Sequence, residues 1–329
     1  MILEETGVKF SSIISQINES KFILVTGHIM PDGDDISSVT SLAVGLERLG
    51  KTVVGSIDYP VPWYYRNFYG VEKLKTYEQA KDLDPDLIIV VDCSTPDRVG
   101  RFQNLLNDRK TIVIDHHATN TLFGGLNWVD SSSASTAQMV YILNKTLGVP
   151  YDADLATVNY LGIATDTGFF KYSNTDSHVF KIAAELVEFG AKPHFVSSTI
   201  LENKSPEQMK LYCRMVDHMI VDGQLVYSWL SYDDYRANNC SDDDSTGFVS
   251  ELRSIKNVEV AILFIEYPEG QVHVSMRSKN WVDVSKIASS LGGGGHARAA
   301  GCSFRDAKLH EVLDEVIGLV RDFLQGGNR

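Results

Sequence analysis

Cysteine and basic charge are both scarce in this chain, and long apolar runs are missing. Its four cysteines, Cys93, Cys213, Cys240 and Cys302, stand far apart with no Cys-x-x-Cys pair. Such spacing argues against a disulfide-built fold and reads as reduced thiols in a cytoplasmic protein. No apolar stretch approaches the ~20 residues of a membrane span. The first residues, from Met1 to Thr6, have neither the basic start nor the apolar core of a secretory signal. With 30 Lys and Arg against 43 Asp and Glu, the net charge is −13, which argues against a protein that grips long nucleic acid by its phosphates. The glycine run 292–295 is not followed by Lys-Ser or Lys-Thr, so it is no P-loop. Internal repeats and low-complexity tracts are absent too.

The shortage of basic charge is local. Residues 251–329 balance 10 Lys and Arg against 10 Asp and Glu, so the acidic excess lies wholly in residues 1–250. Divalent cations bound among those carboxylates would offset part of it and admit a small anionic substrate.

The 329 residues, 43% of them hydrophobic, suffice for two packed domains. Residues 1–200 alternate short apolar segments with helical periodicity, which predicts an α/β domain: a mostly parallel sheet with helices on both faces. Strands are expected at 22–27, 52–57, 87–91 and 111–114. Helices are expected at 37–49, 136–147, 153–164 and 176–189, the last stopped by Gly190. Residues 201–220 are read as a helical connector. Residues 221–329 are read as a smaller α/β domain with a mixed sheet. It has hairpins around Asp222–Gly223 and Pro268–Gly270, helices at 284–291 and 308–324, and a solvated loop over 238–246.

Four apolar segments end in Asp or His. The first, Phe22–Gly27, runs into His28 and then Pro31, Asp32, Gly33 and Asp34. Leu87–Val91 runs into Asp92. Thr111–Ile114 runs into Asp115, His116 and His117. Leu161–Thr165 runs into Asp166, Thr167 and Gly168. Taken as four strands, they would deliver metal-type side chains to one sheet edge, where ligands of open α/β sheets bind. Asp32 and Asp34, on either side of Gly33, suit a tight turn that sends two carboxylates toward different ions. Four carboxylates and two imidazoles form a harder set than a zinc-thiolate site, suiting Mn²⁺, with Co²⁺, Fe²⁺ or Mg²⁺ as substitutes. Two ions ~3.5–4 Å apart would activate water and stabilise the leaving oxygen of a phosphoester. Singly, each residue has a plainer reading: Asp32 and Asp34 as turn residues, Asp92 as a companion of a helix cap, His28 as a core histidine, 115–117 as a solvated strand end, Asp166 as the start of a turn. The plain readings do not hold well for all six together.

These segments, in this order, resemble the four motifs of the DHH phosphoesterase superfamily. Gly292–His296 with Ala299–Gly301 resembles the glycine-rich signature of the DHH-associated C-terminal domain. Within the superfamily the chain is most similar to the nanoRNase/pAp phosphatase branch, through Asp115–Asn120, Thr165–Phe170, Ser173–Thr175 and Val274–Ser278. The resemblance implies two divalent cations, with manganese the expected metal. His28, Asp32 and Asp92 would hold one, and Asp34, Asp92, His116 and Asp166 the other. It also implies His117 as general acid or hydrogen-bond donor, oriented by Asp115. One departure stands out. Ser37 and Ser38 occupy positions where the family has Gly-Ser, and Asp35 adds a carboxylate beside the site.

In the C-terminal part, the glycine run exposes backbone N–H groups to a ligand. With Gly293, Gly294, Gly295, His296, Arg298, Ser275 and Arg277 it is expected to clamp a nucleotide, since arginine holds phosphate bidentately. The plainer alternative is a flexible linker among surface cations. Arg98 is equally a phosphate contact or an exposed helix arginine. The family implies hydrolysis of very short RNA and of pAp. The rival on the same scaffold is a cyclic or linear dinucleotide phosphodiesterase acting on c-di-AMP, pApA or pGpG. Neither long nucleic acid nor a membrane is an expected partner. The oligomeric state, a homodimer included, is left open.

Overall fold

The computed structural model describes the backbone of residues 2–326, and side chains over 10–325 apart from that of residue 296. The chain forms two compact units, which part between Asn203 and Lys204.

The first unit is built on five strands: β1 (Phe22–Thr26), β2 (Thr52–Ser56), β3 (Leu87–Val91), β4 (Lys110–Asp115) and β5 (Leu126–Val129). They pair in the order β2-β1-β3-β4-β5, every pair parallel. Its helices are α1 (Ile2–Glu19), α2 (Gly33–Arg48), α3 (Tyr77–Ala80), α4 (Gln103–Leu106), α5 (Thr136–Leu147), α6 (Ala153–Asp166), α7 (Ser177–Glu188) and α8 (Pro193–Leu201). The apolar runs are strands because both sheet faces are covered. Ile23, Val25, Leu87, Ile89, Val91, Ile112 and Ile114 enter one core with residues of α2, α5 and α6. Leu24, Ile88, Val90 and Val113 enter another with Ala80, Val99 and Phe102. The strand order reverses between β1 and β3. That switch point opens a crevice at the carboxyl edge, and the residues that follow β1, β3 and β4 surround it.

Two expectations fail here. Of the two readings of Leu161–Thr165 the helix expected at 153–164 holds and the strand does not: α6 continues to Asp166, so Asp166 is delivered by a helix end. The Asp32–Asp34 segment is no free turn. Asp32 caps α2, its side chain accepting from the amides of Asp34 and Asp35, so Asp34 belongs to the first helical turn. The helix thus begins four residues before the expected Ser37. A capping carboxylate satisfies amides that a helix start leaves unbonded, which is why the Pro-Asp-Gly sequence opens a helix here.

The second unit has six strands: β6 (Ile220–Asp222), β7 (Leu225–Leu230), β8 (Val260–Tyr267), β9 (Gln271–Ser278), β10 (Gly294–His296) and β11 (Ala299–Phe304). Their order is β10-β11-β9-β8-β7-β6, mixed because β7 and β8 run parallel. Its helices are α9 (Pro206–Asp217), α10 (Tyr232–Asn238), α11 (Phe248–Ser254), α12 (Val284–Ser290) and α13 (Leu309–Gly326). Strand β8 alternates between two cores. Val260, Ile262 and Phe264 meet α12 and α13, while Ala261, Leu263 and Ile265 meet α9, α10 and α11. The expected connector therefore contributes Leu211 and Met215 to this unit's core. The 238–246 loop is more ordered than expected: a capping box between Ser241 and Asp244 shapes a 3₁₀ turn over Asp242–Ser245. The glycine run is no linker either, for its second half is the edge strand β10. No described helix is long and apolar enough to cross a membrane.

Candidate metal centre and glycine-rich sheet edge

The six expected ligands converge at the carboxyl edge of the first sheet. His28 Nε2 lies 3.7 Å from Asp92 Oδ2 and 4.0 Å from Asp32 Oδ1. His116 Nε2 lies 3.7 Å from Asp92 Oδ1, 3.9 Å from Asp34 Oδ2 and 3.6 Å from Asp166 Oδ2. These separations are too long for hydrogen bonds but suit atoms that share a cation at bond lengths of ~2.1 Å. The donors fall into triads, His28–Asp32–Asp92 and Asp34–His116–Asp166. Asp92 offers one oxygen to each side, as a bridging carboxylate must.

The imidazoles are aimed by their second nitrogens. His28 Nδ1 donates to Ile29 O at 2.8 Å, and His116 Nδ1 faces Ser133 O at 3.3 Å, which leaves each Nε2 turned to the carboxylates. A third group of donors, Asp92, His116 and His117, also lies within range of one ion. His117 Nδ1, however, lies 3.6 Å from Asp92 Oδ1 and only 2.7 Å from Asp115 Oδ1. It carries the proton of that bond, so His117 is poor as a ligand and well placed as an oriented donor. Asp115 is fully buried; its other oxygen accepts from Asn120 Nδ2 at 2.6 Å.

The electrostatics call for cations. Asp34, His28, Asp92 and His116 are buried, Asp166 is partly so, and only Asp32 opens widely to solvent. Burial, with the carboxylates of Asp92, Asp166 and Asp32 adding to it, lifts Asp34 well above the usual carboxylate range. Burial likewise pushes Asp166 up to about 7. For His28, burial opposes the charge, yet Asp35, Asp92 and Asp32 raise it to about 10. Asp92 is held below its ordinary value against the same burial by His28, His117 and His116. Carboxylates crowded this closely need counter-charge, and a donor set of oxygen and imidazole fits divalent cations.

Several supporting groups are invisible in the spacing of the motifs. Helix α5 points its N-terminus at the site. The amides of Thr136 and Ala137 donate to the two oxygens of Asp34 at 2.7 and 2.8 Å, and Thr136 Oγ1 donates to Asp92 Oδ1 at 2.9 Å. An anion is stabilised at such a helix start. Asp92 sits at φ 53°, a left-handed conformation uncommon for a side chain other than glycine, and strain of that kind collects at functional sites. Asn120, within the Asp115–Asn120 segment, is another such group. Its Nδ2 ties Asp115 to Cys93 O at 3.0 Å. Asp35, the unusual carboxylate, is fully buried and accepts from the His28 amide at 2.9 Å. A Cβ at Gly27 would fall 1.6 Å from its Oδ1, so Asp35 is accommodated because residue 27 is glycine. Ser37 donates to Val158 O at 2.7 Å, joining α2 to α6 away from the ligand atoms.

In the second unit Ser275 and Arg277 lie on the half-exposed face of β9, while Val274, Met276 and Ser278 are buried. In register, Ser275 pairs with Gly301, which pairs on its other side with Gly294, and Arg277 pairs with Ala299, which pairs on its other side with His296. Gly293 and Gly295 are required by backbone proximity: a Cβ would meet Gly301 O at 2.1 Å and Ala299 O at 2.5 Å respectively. Nothing lies within 4 Å of a Cβ built on Gly294, so backbone is open there. Arg298 is turned toward its own unit, donating to Val282 O at 2.6 Å. The side chain of His296 lies outside the described part of the structure.

Comparison with known proteins agrees with this geometry. Residues 22–163 match the model of the DHH family N-terminal domain, and residues 222–325 that of the DHHA1 domain. The chain is 34% identical to the bifunctional oligoribonuclease and PAP phosphatase NrnA of Thermus thermophilus, over 92% of this chain and 90% of that one. It is 27% identical to the NrnA of Bacillus subtilis, over 89% and 92%. Among solved structures, an exopolyphosphatase-related protein from Bacteroides fragilis superposes with a TM-score of 0.87 at 22% identity, covering 97% of this chain and 96% of the other.

Proposed function

The chain belongs to the DHH/DHHA1 phosphoesterase family, and on that premise we propose that it hydrolyses very short oligoribonucleotides to mononucleotides and converts pAp to AMP. The observation that carries this reading is the end-to-end likeness to an oligoribonuclease and PAP phosphatase at 34% identity.

In this reading His28, Asp32 and Asp92 hold one divalent cation, and Asp34, Asp92, His116 and Asp166 the other. Manganese is the favoured metal, because oxygen and imidazole donors without thiolate suit it. When bound, the ions supply activated water and neutralise charge on the phosphoryl oxygens. The chain's own groups do the rest. Thr136 and the start of α5 keep Asp92 and Asp34 turned inward. His117, its Nδ1 proton held by Asp115, presents Nε2 to the leaving oxygen. Asn120 keeps Asp115 from swinging away. Ser275, Arg277, Gly293, Gly294, Gly295 and His296 take the nucleotide, while Arg298, expected there too, is held by Val282 O and braces that edge. The open backbone at Gly294 and the half-exposed Arg277 support that assignment.

A turnover screen of the Mn²⁺-loaded protein tests the proposal, using pApA, pGpG, c-di-AMP, pAp and a short RNA. Mononucleotides from short RNA and AMP from pAp are expected. Efficient cleavage of c-di-AMP with no action on pAp would replace it by the second-messenger reading.

A further inference from the structure

We infer that Arg98 is the phosphate-binding residue of the first unit, holding a non-bridging oxygen of the scissile phosphate beside the ion of His28, Asp32 and Asp92. This rests on the phosphoesterase activity proposed above but not on the nucleotide part of it.

Arg98 lies in the 3₁₀ segment Pro96–Phe102 that follows β3. Its carbonyl accepts from the Ile29 amide at 2.8 Å, which joins the loop after β1 to the loop after β3 across the switch point. This bond places the exposed guanidinium against the metal centre, with one terminal nitrogen 3.1 Å from His28 Nδ1. That contact does not satisfy the arginine. An imidazole that binds a cation through Nε2 carries its proton on Nδ1, and here that proton goes to Ile29 O. The guanidinium N–H therefore meets another donor and needs an acceptor from elsewhere. With an imidazole–metal bond of ~2.1 Å, the ion lies within roughly 7 Å of this nitrogen, a gap that one metal-bound phosphate spans.

Its neighbour on the same segment shows the difference. Arg101 is bound to Asp58 and Glu78 and lies over the Tyr77 ring. Arg98 makes no ion pair among the described residues, although a cluster of carboxylates stands beside it. Charge explains the use of such a residue. The carboxylates of Asp32, Asp34, Asp92 and Asp166 balance two divalent ions, which leaves the centre with no surplus positive charge for an anionic substrate. Arg98 supplies that surplus at the rim, where a guanidinium can pair with two phosphoryl oxygens.

The test compares Arg98→Met and Arg98→Lys with the wild-type holoenzyme in three measurements: metal stoichiometry, affinity for inorganic phosphate by calorimetry, and kcat/KM on bis(p-nitrophenyl) phosphate and on pApA. Both variants should keep their metal. Arg98→Met should bind phosphate about 10-fold or more weaker and lose a similar factor on both esters, with Arg98→Lys intermediate. Phosphate affinity and aryl-ester turnover within about twofold of wild type would overturn the assignment. So would a loss confined to pApA, or a loss of metal in step with rate, which would make Arg98 a prop for His28. A wild type that cleaves the aryl ester but no nucleotide would defeat the substrate reading alone and leave this assignment to be decided by phosphate affinity.

Discussion

The two ligand-facing edges of this molecule are built by opposite means. At the first sheet, six side chains come from the ends of three strands and from two helices, five of them at least partly buried and several fixed by backbone hydrogen bonds. At the second, half-exposed side chains stand along one face of β9 and β11, beside glycines chosen for what they lack. The first arrangement holds its donor atoms 3.6 to 4.0 Å apart, a spacing that suits cations shared between carboxylates. The second offers main chain and cationic reach, as a flexible nucleotide requires. On the proposed function, rigid chemistry and adaptable recognition occupy different units, and mutation should separate their contributions.

The largest effect should come from the carboxylate that offers one oxygen to each side, Asp92. Asp92→Ala should remove the bridge and abolish turnover, a loss beyond ~10⁴-fold, on nucleotide and aryl ester alike. If a tenth of the wild-type rate survives on either substrate, the shared carboxylate is not essential and the two-ion reading fails. A smaller loss of ~10²–10⁴-fold is expected of His117→Asn, typical for removal of a general acid. Metal analysis separates it from His116→Ala, which should lose metal. Equal metal loss in both variants would erase the distinction between ligand and proton donor.

The difference between the units also governs how much could be read from sequence. Buried parallel strands appear as apolar runs, so β1, β3 and β4 and the ligands that follow them were legible, as were the hairpin strands of the second unit. Leu161–Thr165 reads two ways, as the end of a helix over 153–164 and as a strand before Asp166, because a short apolar run serves either and periodicity cannot separate them. Pro31–Asp34 has the composition of a turn, but Asp32 caps a helix instead. Thr136 left no trace at all. Its bond to Asp92 spans 44 residues, and nothing in local spacing records it. The resemblance to a family carried the six ligands, while their support had to be seen in three dimensions.

The smallest expected effect sharpens the contrast most. Arg277→Ala should weaken kcat/KM on pApA by ~10-fold, the worth of a charge-assisted hydrogen bond, in kcat as well as KM if remote binding helps the chemistry. On bis(p-nitrophenyl) phosphate, which offers no nucleotide to hold, it should change by less than about twofold. Equal losses on the two substrates would show that the second unit acts on chemistry or folding and would dissolve the division of labour.

Anomalous diffraction from crystals of the manganese-loaded protein tests the central claim most directly. Two manganese peaks ~3.5–4 Å apart are predicted, with Asp92 between them, His28 and Asp32 on one, and Asp34, His116 and Asp166 on the other. A single peak, or two peaks that do not share Asp92, would contradict it.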